Sequence, residues 1–249
     1  MEENLPAVPA GAVETVENLG SYQHDVVVGY DDKLFENDLQ FAGSSVVDAV
    51  TDVRTNPFLL SYRGRWVYPQ SQFGFELTSV TNQPGGSDSD ETTYMEVRDG
   101  ASPDWAATRY GFNYAYRFRS NWAIRFNYLA QNSGEPLVAG EQFGVGGAQS
   151  VRGFEERQVL GDDGWQNNLE VFTPNLGDSG VNFLFFYDAG HVELNDTEEE
   201  FDVSSAGFGV RWAWQQKIGL RADIASVLEG AGDVEDGDSA LHFAFLYRF

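Results

Sequence analysis

From about residue 108 onward, apolar and polar residues alternate with period two, the spacing that sends successive side chains to opposite faces of a β-strand. In 110–118 one face is wholly aromatic (Tyr110, Phe112, Tyr114, Tyr116, Phe118), and the other carries Gly111, Asn113, Ala115 and Arg117. Trp122, Ile124, Phe126 and Tyr128 then oppose Arg125, Asn127 and Gln131, with Ser120-Asn121 as the two-residue hairpin link expected between antiparallel neighbours. The segments 206–214, 218–224 and 241–249 repeat the pattern. Weaker versions at 24–31, 58–66, 73–80, 167–173 and 181–190 bring the expectation to about ten strands.

The links between these strands alternate in length. Residues 67–71, 120–121 and 215–217 are short; 33–55, 81–108, 132–165, 193–203 and 228–238 are long and polar. Short turns at one end and long loops at the other are the periplasmic and extracellular ends of an outer-membrane barrel. Soluble sandwiches also alternate, but their solvent face rarely sets charges so regularly behind strips of Trp, Tyr and Phe. The expected fold is therefore all-β, an antiparallel transmembrane β-barrel occupying 24–249, with a long loop at 132–165. Residues 1–23 show neither period clearly and read as a linker or an incomplete strand.

Hydropathy does not contradict a membrane. No apolar run is longer than 183–187, which excludes a transmembrane helix, since that needs about 20 residues. A barrel strand needs only about 9–11, every second one apolar, so a mean hydropathy of -0.36 is compatible with it.

The 249 residues hold 15 Lys plus Arg against 39 Asp plus Glu, a formal charge of -24. That field repels phosphates and argues against nucleic acid as a partner. Much of the excess sits in the long loops, as at 87–91 and 196–200, where it reads as solvated surface and fits a saline habitat. Cysteine is absent, so neither disulfides nor thiolate metal sites are available. Met1-Glu-Glu-Asn-Leu-Pro6 has no basic or apolar signal region, and an outer-membrane protein needs one. Either the numbering therefore starts inside a longer precursor, or the membrane reading is wrong.

Enzyme chemistry finds no foothold. Gly144-Val-Gly-Gly-Ala-Gln149 lacks the Gly-Lys-Ser/Thr ending of a phosphate loop. His24, His191 and His242 fall on separate expected strands without ligand spacing. The pairs Glu155-Glu156 and Asp162-Asp163 read as solvated loop acids, and nothing in the sequence brings Ser150 and His242 together as nucleophile and base. No enzyme activity, metal or cofactor is expected.

One arginine stands apart. If Phe183, Phe185 and Tyr187 face lipid, Asp188 and Gly190 face inward; if Leu169 and Val171 face outward, Glu170 faces inward too. Arg152, in the longest connection, is then either a solvated loop residue or the partner of this carboxylate pair, to which its rigid fork is suited. Glycines at 144, 146, 147 and 153 let the loop turn sharply and lie close to the wall.

The segment Gly140-Glu-Gln-Phe-Gly-Val-Gly-Gly-Ala-Gln-Ser-Val-Arg-Gly-Phe154 and the later Phe186-Tyr-Asp-Ala-Gly190 are the most distinctive stretches. Together with Leu60-Ser-Tyr-Arg-Gly64, Arg98-Asp-Gly100, Thr173-Pro-Asn175 and the terminal Phe249, they resemble the haemolysin and filamentous-haemagglutinin secretion proteins of the two-partner-secretion family, over about 24–249. The resemblance implies a barrel of about sixteen strands behind periplasmic polypeptide-transport-associated domains, of which this chain is similar to the C-terminal part. It implies that the Val151-Arg152-Gly153-Phe154 loop, with Gly146 and Gly147, folds into the lumen. There Arg152 meets Asp188 of the wall motif Phe186 to Gly190; Glu170 joins this expected latch by its inward phase.

It further implies a Gram-negative outer-membrane location, a secreted exoprotein of haemolysin or adhesin type as partner, lipid around the barrel, and delivery to the barrel assembly machinery through Phe249. A barrel-insertion factor of the same superfamily and a small passive pore remain as alternatives.

Overall fold

The computed structural model describes residues 13–19, 22–36, 40–41, 44–45, 51–215 and 217–248. Along the chain run β1 (Val13–Leu19), β2 (Tyr22–Tyr30), β3 (Lys33–Phe35), β4 (Gln40–Phe41), β5 (Ser44–Ser45), β6 (Val53–Thr55), β7 (Pro57–Val67) and β8 (Ser71–Asn82). Next come a short helix α1 (Glu91–Val97), β9 (Ala106–Arg117), β10 (Ala123–Asn132), β11 (Phe143–Val145), β12 (Val159–Gly161) and β13 (Asp163–Phe172). The last strands are β14 (Val181–Glu193), β15 (Glu200–Trp214), β16 (Ile218–Glu229) and β17 (Ser239–Tyr247).

Eleven of these form one sheet, in the order β1-β2-β7-β8-β9-β10-β13-β14-β15-β16-β17. Every pairing in it is antiparallel. Ten of the eleven are the segments marked by alternation; the other, β1, falls in the stretch without a clear period. The sheet is a meander in which each strand pairs with the next long one, and β1 and β17 are its edges among the described residues.

The two faces differ as the alternation demands. Along β14, Phe183, Phe185 and Tyr187 are exposed while Leu184, Phe186 and Asp188 are buried. Tyr110, Phe112 and Tyr114 on β9 and Phe243, Phe245 and Tyr247 on β17 are likewise exposed. A face this continuously aromatic and uncovered is the lipid-facing kind.

The short links hold tight turns. Between β9 and β10, the Phe118 N–H donates to Trp122 O at 2.8 Å and the Asn121 N–H to Phe118 O at 2.9 Å. The turn is therefore the three residues 119–121 rather than the expected pair. Asn121 stands at φ 63, where its short polar side chain tolerates the left-handed conformation that closes such a loop.

The long connections fold over the other face and supply the packed core. Val53, Val80, Tyr94, Trp105, Leu137 and Val138 form one buried cluster around α1. This helix interrupts a connection expected to be only polar loop; it spans two turns, too short for a 3.6-residue period to stand out. A second cluster packs Val145, Val151, Phe154 and Val159 against Val192, Val203 and Val227 of the wall. Burying side chains such as Val151 and Phe154 is worth roughly 1.5–3 kcal/mol each, so the 133–162 connection is anchored by hydrophobic burial as well as by charge.

Candidate functional site

Arg152 sits at the centre of the inner face, with a side chain only 2 % exposed. Its Nε donates to Asp188 Oδ2 at 2.7 Å and its Nη2 to Asp188 Oδ1 at 2.8 Å, a two-pronged grip on a carboxylate that is 0 % exposed. The Arg152 backbone N–H adds a third donor to Asp188 at 3.2 Å. Nη1 donates to Glu170 Oε1 at 3.1 Å and lies 3.7 Å from Asp223 Oδ2. The guanidinium also stacks on Phe186, its Cζ 3.5 Å from the ring centroid, where the negative face of the ring favours a cation. Burial disfavours the charge, but the bonds to Asp188 and the fields of Glu170 and Asp223 outweigh it and hold the Arg152 pKa above the ordinary arginine value.

The strands place these partners by phase and register. Asn168 of β13 pairs with Asp188 of β14, and Asp188 with Ser205 of β15. Asn168 thus lies beside the carboxylate, and its Nδ2 donates both to Asp188 Oδ1 at 2.9 Å and to Ser150 O at 2.5 Å. It ties loop and wall at once. Asp223 is in turn gripped by Arg211, whose Nη1 and Nη2 reach it at 2.5 and 2.9 Å, and Glu170 has Arg125 at 3.6 Å.

Local backbone geometry explains the rest of the loop motif. Val151 and Phe154 are buried in the second cluster, and the Gly153 N–H donates to His242 Nε2 at 3.1 Å. Gly146 stands at φ 118, and a Cβ there would lie 2.4 Å from the Glu155 carbonyl oxygen; no other residue fits that turn. Gly190, across from the loop, leaves room for Val145, whose Cγ1 would be 2.6 Å from an added Cβ. Gly147, with φ 107, lines the same turn. Phe249 lies outside the described residues.

Other suspected chemistry is occupied structurally. The Ser150 hydroxyl bonds Gln166 Oε1 and accepts from the Gly146 N–H. His24 bonds Tyr62 and His191 bonds Asp202, on different strands from His242. Glu155 and Glu156 are exposed as expected.

Asp162 overturns its expectation as a solvated acid. It is 0 % exposed and accepts from Arg98 Nη1 and Nη2 at 2.5 and 2.7 Å. It also accepts from the Leu137 N–H at 2.9 Å, Gln142 Nε2 at 3.2 Å and the Asn195 N–H at 2.8 Å. Arg98 continues to Asp196, with bonds of 3.0 and 2.8 Å, and to Leu137 O at 2.6 Å. This second knot joins the connection carrying α1, the root of the 133–162 loop and the 194–199 turn. The only sequence signal for it was the Arg98-Asp-Gly100 stretch, which carried no assigned role. Asn168, Asp223 and Arg211 carried no signal, because alternation names a face and not a partner.

The knot is pH-sensitive in one direction. The bond from Arg98, reinforced by its charge, holds the Asp196 carboxyl below the ordinary carboxylate value. Arg98 itself is shifted upward: burial opposes its charge, but Asp196 and Asp162 prevail. A depressed carboxylate contributes stability above its unfolded pKa and loses it as pH falls through the folded value. Protection of the Asn195 amide, corrected for intrinsic exchange, is accordingly expected to be level from neutral pH to about pH 4 and to fall below it.

Comparison with known proteins agrees with this architecture. No curated protein sequence matches the chain. Among solved structures, CdiB from Acinetobacter baumannii is similar with a TM-score of 0.70 at 17 % identity over 94 % of this chain, and CdiB from Escherichia coli with 0.75 at 13 % over 94 %. BamA from Haemophilus ducreyi lacking POTRA domains 1–3 gives 0.60 at 16 % over 91 %. The chain spans 40 %, 44 % and 51 % of those three chains. At such identities the likeness concerns the fold, that of an outer-membrane β-barrel.

Residues 85–212 match the family described as haemolysin secretion/activation protein ShlB/FhaC/HecB, a stretch that includes Arg98, Arg152, Asp162, Glu170 and Asp188. With an outer-membrane β-barrel wall and this match over its central half, the chain belongs to the ShlB/FhaC/HecB family of outer-membrane secretion proteins.

Proposed function

We propose that the complete protein exports a partner exoprotein of haemolysin or adhesin type across the outer membrane by two-partner secretion, and that the 132–165 loop is a latch within its lumen. Residues 24–249, joined by β1, are the barrel portion, and the C-terminal stretch up to Phe249 is the address for the barrel assembly machinery. Lipid surrounds the aromatic face. The export step needs no enzyme chemistry or cofactor.

The observation that carries this reading is the buried fork of Arg152 on Asp188. A passive pore has no use for a buried cation delivered by a loop, since desolvating a charge is costly unless it is paired. The pairing also suits a loop that leaves. If Arg152 withdrew, Glu170 would keep Arg125 and Asp223 would keep Arg211, so the electrostatic cost of opening falls mainly on Asp188. Leaving one carboxylate without its cation is a cost that binding of a passenger chain can offset.

The test is export itself. Arg152→Ala and Asp188→Ala in the full-length protein are expected to lower export of the cognate exoprotein by about tenfold or more, with normal barrel levels in the outer membrane. Unchanged export at normal levels would remove the latch. Loss of many outer-membrane proteins on depletion, rather than of one exoprotein, would move the protein to the barrel-insertion branch.

A further inference from the structure

The charges of the wall divide along its axis. Toward the short-turn end, strand phase turns Arg63 and Arg65 of β7, Arg117 of β9, Arg125 of β10, Arg211 of β15 and Arg221 of β16 to the face that carries Asp188. Carboxylates there are fewer. Arg63 lies 3.4 Å from Glu76 and 4.0 Å from Asp25, and Arg125 lies 3.6 Å from Glu170. Arg211 and Arg221 share Asp223, at 2.5 and 3.8 Å. Arg65 donates to Gln23, a neutral acceptor, and Arg117 is exposed. The turns at this end add Arg119 and Lys217 against Asp178.

The long-loop end is the reverse. Glu198 and Glu199, with Glu200 at the start of β15, crowd one connection and Asp233, Glu235 and Asp236 the next. Most basic residues at that end are already held by acids: Arg98 by Asp162 and Asp196, Lys33 and Arg109 by Glu141, and Arg54 by Asp32, while Arg157 donates to the Ala139 and Gln142 carbonyls. A chain with a net charge of -24 thus keeps a basic mouth at its short-turn end, periplasmic by the rule that short turns face the periplasm.

We propose that this mouth gathers an acidic, extended polypeptide, and that the passenger is of that class. The inference rests on the secretion reading. Arginine forks bind carboxylates, and a mouth of one sign concentrates a ligand of the other. The acidic loops at the exit then repel the same chain, which prevents it from being retained there. A basic passenger would meet repulsion at entry and capture at exit, the opposite of what export requires.

The test uses the protein in detergent micelles and fluorescence anisotropy with labelled oligoglutamate, against an uncharged Gly-Ser peptide. Oligoglutamate is expected to bind more tightly than the uncharged peptide, to weaken with added salt, and to lose about tenfold in affinity in the R65Q/R117Q/R221Q variant. E199Q/E200Q, at the opposite end, is expected not to weaken it. Heat-modifiable migration on gels checks that each variant is folded. Binding no tighter than to the Gly-Ser peptide, or equal affinity in the folded triple variant, would overturn the proposal. The triple variant leaves Arg152 and its carboxylates in place, so such a result removes the acidic passenger alone. The secretion reading is judged separately, by export in the Arg152 and Asp188 variants.

Discussion

Arg152→Ala is expected to release the 133–162 connection from the wall, at a cost of about 3–5 kcal/mol. The substitution leaves Asp188, 0 % exposed, with Asn168 as its side-chain donor and, among the described residues, no cation in contact. An isolated buried carboxylate is among the most expensive groups a fold can hold. Native-state proteolysis within the loop reads the result directly: the fraction open is expected to rise about a hundredfold or more, since each 1.4 kcal/mol is worth about tenfold. Arg152→Lys keeps the charge but cannot reproduce the fork, so it falls between wild type and Ala. Arg152→Met combined with Asp188→Leu removes both charges and is expected to cost less than the sum of the two single changes. Cleavage of Arg152→Ala at the wild-type rate would mean that the hydrophobic cluster around Val151 and Phe154 holds the loop by itself.

Arg98→Ala should open the long-loop end rather than the lumen. It removes two charge-assisted bonds from buried Asp162 and two from Asp196. The expected cost is about 3 kcal/mol, at the lower edge for a buried pair, because Asp162 still accepts from the Leu137 and Asn195 amides and from Gln142. Hydrogen exchange is expected to accelerate at Leu137 and Asn195 while the amides of β13 and β14 keep their protection. The acid sensitivity at Asn195 should also shrink, because the Asp196 carboxyl then returns toward its ordinary value. Equal exchange in variant and wild type would show that the backbone donors suffice. Uniform loss of protection through the wall would instead make Arg98 a determinant of the whole barrel.

Local physics made much of the wall legible. Side-chain direction in a strand depends on nothing beyond parity, so Phe183, Phe185 and Tyr187 and their inward neighbours could be assigned without knowing what they face. The same parity put Glu170 and Asp188 on one side. It was less informative where a segment is short or mixed: Val13, Val16 and Leu19 recur every third residue within β1, and α1 ends before a helical period repeats.

By itself the sequence determined the antiparallel wall, its lipid-type and inner faces, and the long glycine-bearing loop with one arginine of unusual context. Only the tertiary structure decided which carboxylates that arginine would meet, that Asn168 would clasp both sides, and that Asp162 would be buried under Arg98 and Asp196. The reason is range. A strand's faces follow from neighbours two residues apart, whereas Arg152 and Asp188 are 36 residues apart and Arg98 and Asp162 are 64. Those separations close only when the sheet's register and the packing of Val151 and Phe154 have set where each loop lies.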